Sequence, residues 1–354
     1  MRTRNTVKAI KGIFDYKLFN RRTPIAVSWL ITNRCNFKCS YCNIWKYNQK
    51  EVTEKQALSL IDQLSEMNTQ RLTIAGGEPL LRDDIGRIIK YSKDRNISTG
   101  VCTNGFLIEK KIDCLKYADM IHVSYDGPKC IHDKQIQEKT YKQVINGIRI
   151  AKEEGIKIWL TCVITKYNIN KLNKIMSQIK RLNVHIYFRN VMTRPYSGNN
   201  ENIKPSLAGY KDGIEFLLQE KKRCNLIVNS SFNLKQMLKW PISEKLKCYC
   251  KHLRSLIDCD GKVYPCDTLI RNKQALNYTK VGFKKAFDNI ADIKCPEDMC
   301  ACNSWDYPNM EFNNICSLNM NSIFNMFSLM NRQIFIFKSK PGKNENCIRI
   351  NKIK

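Results

Sequence analysis

The chain has 354 residues, enough for one barrel-sized domain and a smaller one, and its 43% hydrophobic content suits a protein with a full core. Seventeen cysteines, with no apolar signal segment in the basic stretch Met1 to Lys11, argue against a secreted disulfide framework and for reduced thiols in the cytoplasm. The formal charge of +28 raises a nucleic-acid or anionic-membrane partner, but the lysines are spread through the chain without an aromatic-rich RNA-binding signature, so nucleic acid is not favoured.

From Ala26 to Val191 short β-rich runs alternate with helical periodicity. The expected strands are Val27–Thr32, Arg71–Ile74, Ser98–Cys102, Met120–Ser124, Ile156–Ile164 and Val184–Arg189. Between them the pattern predicts helices over Thr53–Met67, Asp84–Arg95, Glu109–Tyr117, Tyr141–Glu154 and Asn170–Leu182. Six such units predict an α/β fold, an open (β/α)6 part of a TIM-like barrel whose post-strand loops gather at one face. Thr193 to Pro205 reads as a loop and Leu207–Arg223 as a helix. A cysteine-dense segment from Lys245 to Cys316 is expected to form a second, small domain. The tail after Ser317 has two apolar runs, Ile323–Met330 and Ile334–Phe337, too short to span a bilayer and suited to docking or membrane-surface contact.

The loop after the first strand carries Cys35, Cys39 and Cys42, a Cys-x3-Cys-x2-Cys triplet with Tyr41 before the last cysteine. A [4Fe–4S] cluster has four irons, so three thiolates leave one iron open. A zinc loop or plain buried cysteines is the alternative, although zinc sites favour paired Cys-x2-Cys knuckles and four closed ligands. The second strand ends in Gly76-Gly77-Glu78-Pro79, where the glycines permit close backbone approach and Glu78 offers a fixed acceptor. The third ends in Thr103-Asn104-Gly105 and the fourth in Ser124-Tyr125-Asp126-Gly127.

In this order the motifs resemble those of the radical S-adenosylmethionine (radical SAM) enzymes. The resemblance implies that Cys35, Cys39 and Cys42 hold a [4Fe–4S] cluster and that S-adenosylmethionine (SAM) chelates its open iron. It implies SAM contacts from Tyr41, the Gly76–Pro79 motif, Thr103, Asn104, Ser124 and Asp126, with Val163 and Arg189 matching later contact positions loosely. Tyr125 stands where the family has an aliphatic residue. The expected reaction is reductive cleavage of SAM to a 5′-deoxyadenosyl radical that abstracts hydrogen from substrate, fed by an external donor of flavodoxin or ferredoxin type.

The hairpin sequence Cys250 to Cys266, turning at Asp260-Gly261, resembles the start of SPASM/twitch extensions, which bind auxiliary clusters. The full SPASM series is missing, so one auxiliary [4Fe–4S] cluster is expected, on Cys250, Cys266, Cys300 and Cys302, with Cys248, Cys259 and Cys295 as substitutes and a structural zinc as the alternative. The expected organisation is a basic segment (1–23), the core barrel (24–192), a connection (193–244), the cluster domain (245–316) and the tail (317–354). Relatives with such extensions act on peptides and proteins, cofactor precursors or lipids; a peptide or protein substrate is the slight favourite. A non-catalytic iron–sulfur sensor or RNA-binding protein is the reading from another class. His122, His132, His185 and His252 share no ligand spacing and read as packing groups.

Overall fold

The computed structural model describes residues 3–191, 196–197, 200–240 and 246–294. A helix, α1 (Thr3–Phe19), precedes six parallel strands: β1 (Ala26–Thr32), β2 (Arg71–Gly76), β3 (Ser98–Thr103), β4 (Met120–Ser124), β5 (Ile158–Ile164) and β6 (His185–Asn190). Between them run α2 (Glu54–Glu66), α3 (Ile85–Asp94), α4 (Ile112–Leu115), α5 (Lys129–Ile136), α6 (Tyr141–Glu153) and α7 (Leu172–Leu182). Then follow α8 (Leu207–Arg223), α9 (Ser231–Met237), β7 (Arg254–Ile257), β8 (Val263–Tyr264), α10 (Tyr278–Val281) and α11 (Phe283–Asn289).

The strands form where β-branched residues alternate with small or polar ones. Val27, Trp29 and Ile31 of β1, Leu72 and Ile74 of β2, and Ile186 and Phe188 of β6 are buried under the helices. Their neighbours Ser28, Thr73, Thr161, Val163 and Arg189 are half-buried on the concave face. The helices match with apolar stripes. In α2, Ala57, Leu60, Ile61 and Leu64 are buried, and a capping box starts the helix, with Gln56 N donating to Thr53 Oγ1 at 3.3 Å and Thr53 N to Gln56 Oε1 at 2.9 Å.

Three features differ from the sequence expectation. The 109–117 run is only partly helical, a short 3-10 turn followed by the single turn of α4. Helix α5 was not foreseen, because Cys130, His132 and Gln135 blur its periodicity. The cysteine-bearing hairpin also adds to the barrel's own sheet: β7 pairs in parallel with β1, from Ala26↔Arg254 to Trp29↔Ile257, and β8 returns antiparallel. The sheet order is β6-β5-β4-β3-β2-β1-β7-β8, open between its two edges. The turn joining β7 to β8 places Gly261 at φ +89°, the left-handed region expected of Asp-Gly. At the β6 edge the Asn229 side chain acts as a strand residue, accepting from Phe188 N at 2.8 Å and donating to Phe188 O at 2.7 Å.

Candidate active site

The C-terminal ends of β1 to β6 carry the motifs to one face. The loop after β1 holds Cys35, Cys39 and Cys42, all partly buried. Its backbone is fixed from several directions: Cys42 N donates to Cys39 O at 3.0 Å, Ser40 N to Gln135 O of α5 at 2.8 Å, and Asn43 N to Tyr196 O at 2.8 Å. Phe37 is buried edge-on against Phe106, with ring centroids 5.5 Å apart. Behind the loop Arg82, 5% exposed, donates to Ile31 O and Val52 O and pairs with Glu51 and Asp84. Glu51 in turn accepts from Thr32 Oγ1 and Arg34. An ion network centred on buried Arg82 therefore brackets the residues entering the cysteine loop.

The Gly-Gly-Glu-Pro loop after β2 presses against that loop. Gly77 N donates to Thr32 O at 2.7 Å and Glu78 N to Arg34 O at 2.8 Å. A Cβ on Gly76 would lie 2.3 Å from Thr32 O and one on Gly77 would lie 2.1 Å from Arg34 O, so these glycines allow backbone to meet backbone. Glu78 is fully buried. Its carboxylate accepts from Leu80 N (3.0 Å), Thr103 Oγ1 (2.9 Å) and Asn104 N (2.7 Å), tying the β2 loop to the β3 loop. Pro79 opens a short 3-10 turn. Burial outweighs the three donors and lifts the Glu78 carboxyl to about 7.

Asn104 also donates through Nδ2 to Asn36 Oδ1 at 2.8 Å, beside Cys35. Asp126 after β4 is fully buried and accepts from Tyr41 Oη at 2.8 Å and from Val163 N of β5 at 3.1 Å. Burial raises its carboxyl to about 6. Ser124, half-buried, pairs with Thr161 in the sheet, and Val163 pairs with Arg189. The Arg189 charge acts on both Cys42 and Cys102, which brings it to the same face as the triplet. Burial, first, pushes the Cys35 thiol up to about 11 and the Cys39 and Cys42 thiols above their usual range; the three lie close enough that the charge of one opposes that of another.

Residues 29–179 match the model of the radical SAM superfamily. Residues 29–179 belong to the radical SAM superfamily. Over 213 residues the chain is 24% identical to Fe-coproporphyrin III synthase of Methanosarcina barkeri, covering 58% of this chain and 53% of that protein, so it spans about half of that relative. It is 24% identical to mycofactocin maturase MftC of Mycolicibacterium smegmatis over 299 residues, 79% of this chain and 75% of the maturase. Its fold is similar to that of Streptococcus suis SuiB bound to precursor peptide SuiA, with a TM-score of 0.63 at 16% identity over 96% of this chain and 79% of SuiB.

The radical SAM family binds a [4Fe–4S] cluster and SAM, and the residues on this face fit both. Three thiols held off their charged state by burial and mutual repulsion are a donor set that cationic iron would relieve. Among the described residues no three His, Cys, Asp or Glu side chains close on a single metal ion. Cys250 and Cys266 are buried in the hairpin region, with Arg254 Nη1 4.0 Å from Cys250 Sγ. Cys259 is buried in the hairpin turn next to Gln49. Cys295, Cys300, Cys302 and the tail after 317 lie outside the described residues. His122 and His132 are held neutral by burial, at about 3 and about 4.

Sequence reasoning missed several contributors. Asn36, Glu51, Arg82, Gln135 and Asn168 lie between or beside the motifs, in no pattern of their own. Asn168 Nδ2 donates to Val163 O at 2.7 Å and Asp126 O at 3.1 Å, locking two strand ends together. Only Arg82, a charged residue immediately after a buried Pro-Leu-Leu turn, offered a local hint.

Proposed function

We propose that this protein is a radical SAM enzyme in which Cys35, Cys39 and Cys42 hold the SAM-binding [4Fe–4S] cluster. The observation carrying this reading is convergence: the cysteine triplet, the Gly76–Pro79 loop, Asn104, Asp126, Val163 and Arg189 come from six successive strand ends onto one face. When bound, the reduced cluster supplies the electron that splits SAM into methionine and a 5′-deoxyadenosyl radical, which takes hydrogen from substrate. The chain's residues orient and shield. Glu78 and Asp126 have their oxygens occupied by protein donors, so they act by fixing the loops and Tyr41. Asn104 is likewise held, its Nδ2 donating to Asn36 Oδ1 and its Oδ1 accepting from Phe106 N, while Ser124 and Arg189 lie on the concave side to meet polar parts of SAM or substrate.

A peptide or protein substrate is favoured, because the maturase match spans three quarters of MftC and the fold likeness reaches a structure holding a precursor peptide. The similarity to Fe-coproporphyrin III synthase supports a second reading, a cofactor-precursor substrate. Cys250 and Cys266 would supply two ligands of one auxiliary cluster, with Cys300 and Cys302 completing it, and an external flavodoxin- or ferredoxin-type donor would deliver electrons. The seventeen cysteines, read as cluster ligands and buried thiols, suit a reducing cytoplasm. Among the described residues no helix is long and apolar enough to cross a membrane. The test is anaerobic: reconstituted protein, dithionite and SAM should give 5′-deoxyadenosine, at least with a substrate peptide present. Iron bound without product under both conditions would favour the sensor reading.

A further inference from the structure

Helix α1 is amphipathic in an unusual direction. Its inner side is anchored on the body: Tyr16 is 6% exposed, with its ring 5.9 Å from Tyr249 and 4.8 Å from His252. Ile13 packs beside them, and Gly12 faces Ile25 so closely that a Cβ would lie 2.9 Å from Ile25 Cδ1. The opposite side is apolar and open to solvent. Phe14 and Leu18, one turn apart, are each 59% exposed, and Phe19 at the helix end is 63% exposed. These are three of the five large hydrophobic residues that the described part of the chain exposes. In the sequence Val7 and Ile10 continue the same spacing toward the N-terminus.

Charge frames this stripe. Lys11 and Lys17 are exposed on its two flanks, and the Arg21 guanidinium lies 5.7 Å from the Phe19 ring. The first 21 residues hold six lysines and arginines and one acid, Asp15, which pairs with Lys11 at 2.7 Å. An apolar stripe edged by cations on an anchored helix has the chemistry of an interfacial element.

We propose that α1 seats the protein on a bilayer surface rich in anionic headgroups, with Phe14, Leu18 and Phe19 entering the headgroup–acyl boundary. Charge selects this occupant over two others. A second copy would bring the same basic edge against itself. The chain's own tail, 317–354, carries seven lysines and arginines against one acid, Glu345, and would meet repulsion too.

The full chain is sedimented with vesicles of phosphatidylcholine alone and with about one third phosphatidylglycerol. Binding is expected to the mixed vesicles only, and to weaken strongly by about 0.5 M salt. The Phe14→Ser/Leu18→Ser variant is expected to lose about tenfold or more in partitioning, since both changes lie on the solvent side. Lys17→Glu should weaken binding without touching the apolar stripe. A Phe14→Trp reporter should shift to the blue on mixed vesicles and be quenched by brominated lipid, a reading that does not depend on a destabilised variant. Equal partitioning of wild type and the double variant would overturn the proposal. So would no reporter shift on mixed vesicles, whether the face then proves to carry self-association or binding to single-stranded RNA.

Discussion

Glu78 shows how a single residue can serve the site without facing it. Removing the carboxylate in Glu78→Ala would leave Leu80 N, Asn104 N and the Thr103 hydroxyl unpaired in a buried setting. We expect a loss of about 2–4 kcal/mol in the iron-free protein, read by chemical denaturation, with lower iron uptake because the β2 and β3 loops lose their tie. A loss below about 0.5 kcal/mol would show that the clip is dispensable. The same carboxyl gives a pH signature. Its native value of about 7 lies above the ordinary 4.5, so the native state holds the proton more tightly than the unfolded chain. Its contribution is full below pH ~4.5 and fades as pH rises through about 7, by an order of 1–3 kcal/mol. Glu78→Gln should lose that slope, so the stability of wild type relative to the variant should fall as pH rises from 5 to 7.5. An unchanged slope would place the titration elsewhere.

At the scale of elements, the site is loops braced against loops. Gly77→Ala tests this, because its Cβ would sit 2.1 Å from Arg34 O. Backbone would have to move on one side, and we expect a loss of about 2 kcal/mol or more and poor cluster retention, followed by iron content and melting temperature. Wild-type iron content and melting would contradict the close packing of the two loops. The strands that carry these loops were legible because each puts Val, Ile and Leu on the helix side at period two. The motifs were legible because they end successive strands. The braces were not. Arg82, Glu51, Asn168 and Gln135 act across sequence gaps, and a single polar residue in a helix start or loop gives no periodic signal. Helix α5 was likewise hidden, since its buried face includes His132 and Gln135 rather than a run of aliphatic residues.

For the whole molecule, the addition of β7 and β8 to the β1 edge changes how the extension relates to the barrel. Arg22 fastens the junction, donating to Lys251 O at 2.8 Å, Phe287 O at 2.8 Å and Asp288 O at 3.0 Å. On the cysteine-loop side, Tyr196 donates to Asp258 Oδ2 at 2.6 Å and lies 2.9 Å from Gln49 Oε1, while Val52 N donates to Cys259 O at 2.9 Å. The hairpin thus shares buried polar contacts with the loop that follows the cysteine triplet. From sequence the hairpin was readable by its Asp-Gly turn, but its partner strand was not: β7 is four residues long and buried on both faces, so it shows no alternation. Cys250 and Cys266, which flank the hairpin in the sequence, are both buried.

The central claim is that Cys35, Cys39 and Cys42 hold an iron–sulfur cluster with one iron open to SAM. The most direct measurement is electron paramagnetic resonance of the dithionite-reduced, reconstituted full chain with and without SAM, beside the triple Cys35→Ala/Cys39→Ala/Cys42→Ala variant. About four irons per cluster are expected. The wild type should give a reduced-cluster signal that shifts when SAM is added. The triple variant should lose that responsive signal and about four irons, keeping only whatever the hairpin cysteines hold. A wild-type signal indifferent to SAM, or a SAM-responsive signal surviving in the triple variant, would contradict the account.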